Sequence, residues 1–121
     1  MRARNIVVEG EFKNCNVVAS FGVVSLMSGF KTVTKLDSAT VEFYKLIAQD
    51  GKVGMASAAI RGFAGEMLLG PAGLSAAFTA KRHEVFYVGV AFKKGRRSVL
   101  EINERIMRVL EAQPLWLNEV M

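Results

Sequence analysis

The hydrophobic positions along this chain follow two different rhythms, and the change of rhythm divides it into three parts. From residue 4 to residue 48, β-branched and aromatic residues dominate and turn formers punctuate them, which predicts strands. Asn5 to Glu9 is the first strand, followed by turn chemistry in Lys13-Asn14-Cys15-Asn16. Val17 to Met27 reads as one strand or one bent strand, interrupted at Gly22 where a missing side chain permits a bulge, and Ser28-Gly29 closes it. Phe30, Thr32, Thr34 and Leu36 then alternate with Lys31, Val33 and Lys35, a period of two that suits a strand with one wet face. Asp37-Ser38 turns the chain into a fourth strand, Thr40 to Ala48, which Gln49-Asp50-Gly51 ends.

Residues 52 to 80 break the alternation. Alanine supplies helix propensity, glycine weakens it, and Gly70-Pro71-Ala72-Gly73 interrupts it, so the segment reads as helix, tight turn, helix. On the first helix Gly54, Ala58 and Gly62 recur every four residues with Gly65 three further on, a stripe almost without side chains. Such a stripe lets another backbone approach closely, either in the same chain or in a second subunit. A second ridge of Ile60, Phe63 and Met67 is expected to face the core. The segment is a poor membrane span. A transmembrane helix needs about 20 consecutive apolar residues, whereas Arg61 and Glu66 fall in the first half here and Gly-Pro cuts the second.

The alternation returns after this hairpin. Phe86, Val88, Val90 and Phe92 alternate with Tyr87, Gly89 and Ala91, and after Lys93-Lys94-Gly95-Arg96 the apolar pattern resumes from Val99 to Ile102, giving a β-hairpin. Asn103 is placed to cap a helix that carries Ile106, Val109, Leu110 and Gln113 along one side and that Pro114 bounds at about residue 113. Leu115-Trp116-Leu117 then either docks on the core or forms a sticky tail.

Composition narrows this picture to one domain over residues 1 to 121. A chain of 121 residues that is 51% hydrophobic buries one sizeable core. Cys15 is the only cysteine, which excludes an internal disulfide and suits a reducing, cytoplasmic location. The net charge of +5 is concentrated in residues 81 to 108, where eight basic residues stand against three acidic ones. A local excess of this kind attracts anionic partners, or simply solvates the surface.

The order of elements adds a resemblance. "DSATVEFYKLIAQ" followed by "AAIRGFAGEMLLGPAGLSAAFTAKRHEVFYVGVAFKKGRRSVLEINERIMRVL" resembles the bacterial pleckstrin-homology-like (PH-like) domain of small bacterial and phage proteins, over residues 37 to 110. The resemblance rests on Gly70-Pro71-Ala72-Gly73-Leu74 together with the Phe92-to-Ile102 hairpin in the right order. It departs at Lys94, where that turn often carries an acidic residue, and in the tail Pro114 to Met121. It implies an α+β fold, a partly open antiparallel barrel with an inserted Gly/Ala-rich helical hairpin and a C-terminal helix. It also implies no catalytic centre, and it suggests an accessory factor that blocks a host system.

The residues agree that catalysis is not the expectation. His83 is the sole histidine, a lone histidine builds no ordinary zinc site, and Cys15 has no local base. Asp37 with Glu42, and Glu101 with Glu104, read as solvated surface charge. No cofactor and no small-molecule substrate are expected. The polar candidate is an anion site at Lys93, Lys94, Arg96 and Arg97, four cations read as sharing one turn, while Phe86 and Phe92 are expected to point inward and offer no stacking surface. The apolar candidate is an interface at Gly54, Ala58, Gly62 and Gly65. The expected function is binding of a protein partner or self-association. The alternative is capture of nucleic acid or phospholipid by the basic hairpin, at most peripherally at a membrane.

Overall fold

A computed structural model describes residues 3–49, 53–65 and 85–116. The first strand-rich part contains five strands: β1 (Ile6–Gly10), β2 (Asn16–Ser20), β3 (Val23–Ser28), β4 (Lys31–Leu36) and β5 (Val41–Gln49). Helix α1 (Val53–Ala64) follows, then β6 (Phe86–Phe92), β7 (Arg97–Ile102) and helix α2 (Glu104–Glu111). The seven strands form one sheet in the order β4-β3-β2-β1-β7-β6-β5, every paired neighbour antiparallel. The sheet curls into a half-barrel, so the fold is α+β and barrel-like.

One expectation is corrected here. Val17 to Met27 is two strands rather than one bent strand, because Phe21 (φ 52°) and Gly22 (φ 77°) both adopt left-handed backbone. Two successive positive φ values make the tight hairpin turn whose twist matches paired strands, and Val17 to Ser20 pair with Leu26 to Val23 across it. Gly22 therefore reverses the chain where a bulge had been expected.

The alternation in β6 is realised on two faces. Phe86, Val88, Val90 and Phe92 enter the main core, which α2 closes with buried Ile106, Met107 and Leu110. The Asn103 side chain caps α2 by accepting from the Ile106 N–H at 3.0 Å. On the opposite face Phe63 of α1 packs with Ala91 and Val99, joined by half-buried Ile60, Phe43 and Tyr87. Ile60 and Phe63 thus face the sheet as their spacing predicts. Met67 of the expected first helix, the Gly70-Pro71 turn, the second helix of the expected hairpin and His83 all lie outside the described residues.

The C-terminal segment docks. The Leu115 carbonyl accepts the Tyr44 N–H at 3.0 Å, and Trp116 forms a parallel bridge with Tyr44. The Trp116 ring lies 5.4 Å from the Tyr44 ring, and its indole N–H donates to the Leu110 carbonyl at 2.7 Å. Among the described residues no helix is long and apolar enough to cross a membrane.

Candidate anion-binding cleft

The β6–β7 turn is built by its backbone. Phe92 N–H donates to the Arg96 carbonyl at 2.8 Å, and Gly95 (φ 89°) supplies the left-handed residue the reversal needs. Two neighbouring segments are drawn to this turn. The end of β1 arrives through Gly10 (φ 89°), where a Cβ would collide with the Arg97 carbonyl, and Glu11 N–H donates to that carbonyl at 2.9 Å. The corner between β4 and β5 arrives through the Thr40 carbonyl, which accepts the Lys93 N–H at 3.0 Å. That corner is itself held by the Asp37 carboxylate, which accepts from Ala39 N–H at 2.9 Å, and by the Thr40 hydroxyl, which donates to the Lys35 carbonyl at 2.6 Å.

These segments enclose a cleft of about 440 Å³. Lys93, Lys94 and Arg96 supply three cations to its wall, Thr34 and Thr40 supply hydroxyls, and Phe12, Val33 and Phe92 supply apolar surface. Glu11 is the one acid among the described residues of the lining, and it sits 3.4 Å from the Arg96 guanidinium. Both lysines are exposed, and neither makes a salt bridge among the described residues. The cleft therefore presents uncompensated positive charge beside an apolar wall. Phe12 and Phe92 meet edge to face at 5.5 Å, with Phe92 only 7% exposed, so the wall offers little open ring face for a base to stack on.

Arg97 stands apart from the other three candidates. It is the first residue of β7 and not part of the turn, and its side chain follows the strand alternation to the α1 face. Its guanidinium lies 4.8 Å above the Phe63 ring and 5.7 Å from that of Phe43. Of the small-residue stripe, Gly54, Ala58 and Gly62 lie on α1, while Gly65 falls just beyond its end. Gly62 is buried and Gly65 exposed, so the two do not share one environment.

Glu101 is a second correction. It is 1% exposed rather than solvated. The Arg4 backbone N–H donates to its carboxylate at 2.8 Å, the Arg4 Nε at 3.1 Å and the Arg4 guanidinium Nη2 at 2.9 Å. Burial alone pushes the Glu101 carboxyl up, but these hydrogen bonds and the arginine charge outweigh it and hold the group below its ordinary value. Glu104, by contrast, pairs with Arg108 on the exposed side of α2 at 3.0 Å. Cys15 is a free, half-buried thiol packed against the main core. Among the described residues no three His, Cys, Asp or Glu side chains gather as a metal site would require.

Nothing in the sequence placed Glu11, Phe12, Thr34 and Thr40 beside the basic turn. Each lies far along the chain from the basic turn, and only the sheet order brings them to it. No family model, no curated protein and no solved structure matches this chain.

Proposed function

We propose that this chain is a non-enzymatic interaction module of PH-like architecture, and that its cleft takes an acidic group presented by a protein partner. The observation that carries the proposal is the convergence of Lys93, Lys94 and Arg96 on one cleft with apolar and hydroxyl surface beside them. The strand order and the helix after the last strand support the PH-like part of the reading. An acidic protein group suits the cleft better than nucleic acid, because the two rings of its wall, Phe12 and Phe92, are packed edge to face against each other and Phe92 is buried.

The test is a titration of three labelled anions against the wild-type protein and the variant Lys93→Ala/Lys94→Ala/Arg96→Ala. The probes are a glutamate-rich peptide, a single-stranded oligonucleotide and vesicles containing anionic lipid, each at low and high salt. The peptide is expected to bind the wild type, to weaken as salt rises and to lose roughly tenfold or more in affinity on the triple variant. Equal binding to wild type and variant overturns the proposal. A clear preference for the oligonucleotide or the vesicles transfers the cleft to that class of partner.

A further inference from the structure

The curled sheet has two edges, and they are treated differently. The β5 edge receives the chain's own tail through the Tyr44–Leu115 hydrogen bond and the Trp116 bridge. The β4 edge receives no strand among the described residues, and only the Lys35 carbonyl at its end is taken, by the Thr40 hydroxyl. All the exposed large hydrophobic side chains of the described residues, Val18, Phe21, Val23, Phe30 and Val33, lie on the unit formed by β2, β3 and β4. Phe21 and Phe30 are fully exposed at the two hairpin tips, at 102% and 104%. Val33 and Thr34 of β4 also line the cationic cleft, so edge and cleft form one continuous surface.

We propose that β4 is a docking edge for an extended acidic segment of a partner protein, which pairs its backbone with β4 while one of its carboxylates enters the cleft. The inference rests on the reading of the cleft given above and adds the mode of binding. Strand addition satisfies the unpaired backbone groups of an edge and leaves specificity to the side chains. Those side chains favour acids. Lys31 and Lys35 are exposed on β4, and Lys93, Lys94 and Arg96 stand across the cleft.

The same lysines disfavour a second copy of this chain. An antiparallel pairing of two β4 strands centred on Val33 sets Lys31 of one opposite Lys35 of the other, and like charges directly opposite destabilise a pair. An acidic strand turns this repulsion into attraction, and β-branched residues between its acids meet Val33 and the exposed Phe30.

The experiment uses peptides of about eight residues with blocked ends. One alternates glutamate and valine, one alternates lysine and valine, and one is the glutamate peptide N-methylated at every second amide so that one edge cannot donate. Affinity is read by fluorescence anisotropy, and the contact by backbone amide shifts on β4. The glutamate peptide is expected to bind and to move the β4 amides, the lysine peptide not to bind, and the methylated peptide to bind roughly tenfold or more weakly. The variant Lys31→Glu/Lys35→Glu is expected to transfer the preference toward the lysine peptide. Both substituted residues are exposed, and a thermal melt confirms that the variant folds.

Undiminished binding of the methylated peptide overturns strand addition. So does a β4 variant that binds as the wild type does while Lys93→Ala/Arg96→Ala loses binding, and in that case the cleft reading survives alone. Binding that follows the β4 charges but ignores Lys93→Ala/Arg96→Ala overturns the entry of a carboxylate into the cleft.

Discussion

Glu101 shows how much one residue's surroundings decide. By position it alternates with Leu100 and Ile102, and strand alternation in a one-sided sheet would send it to water. The β7 strand is covered on both faces, by the main core and by the α1 side, so the carboxylate is enclosed and Arg4 is drawn to it from the start of the chain. The consequence is testable through pH. A carboxyl held below its ordinary value contributes stability that is present above the unfolded value near 4.5 and is lost as pH falls through the folded value. Arg4→Ala removes the side-chain donors and leaves burial, which acts in the opposite direction. We expect Arg4→Ala to cost about 1–3 kcal/mol at neutral pH, with the difference from wild type shrinking as pH falls below the ordinary carboxyl value near 4.5. Thermal melts of the two proteins across that range check this, and a difference that does not change with pH counts against the ion pair as its source.

At the scale of elements, the seating of α1 depends on one missing side chain. Gly89 faces Phe63, and a Cβ at that position would lie 2.6 Å from Cε1 and 2.7 Å from Cζ of the ring. The ring has little room to yield, since Phe43 meets it edge-on at 6.3 Å and the Arg97 guanidinium covers it at 4.8 Å. Gly89→Ala is therefore expected to destabilise the protein by about 1–3 kcal/mol through overpacking. The double variant Gly89→Ala/Phe63→Leu should lose less than the two single changes together, because the smaller side chain vacates the space. Denaturant unfolding of all four proteins measures that coupling, and additive losses would mean that Gly89 acts through the strand backbone and not through Phe63.

At the scale of the whole molecule, the C-terminal tail engages one edge of the sheet, at Tyr44 of β5. Trp116 lies against buried Tyr44, donates to the last turn of α2 and forms an isolated bridge to β5 at Tyr44. It ties the main core, the final helix and one edge together. Trp116→Ala is expected to cost about 2 kcal/mol, less than a fully buried tryptophan because the ring is only partly buried. It is also expected to open β5 as a second unpaired edge, which light scattering would register as concentration-dependent association. A variant that melts lower yet shows the same scattering as wild type would mean that the tail stabilises the core without guarding the edge.

The elements were largely legible in the sequence, and the reason is that their signals are local. Period-two alternation located β4, β6 and β7, Asn103 marked the start of α2, and the spacing of Ile60 and Phe63 identified the buried ridge of α1. The turn at Phe21-Gly22 was missed because phenylalanine rarely adopts a positive φ, so residue type pointed away from the conformation taken. The basic turn was visible as charge, but its membership was not. A difference of one residue between turn and strand sends Arg97 to the α1 face while Arg96 stays on the cleft. By itself, then, the sequence determined what depends on neighbours within a few positions: the strands, the helix cap and the clustering of positive charge. Only the tertiary structure decided what depends on strand order. It brought Glu11, Thr34 and Thr40 to the lysines, enclosed Glu101 with Arg4 and left β4 without a second strand neighbour among the described residues, because pairing across a sheet joins residues whose separation along the chain carries no local signal.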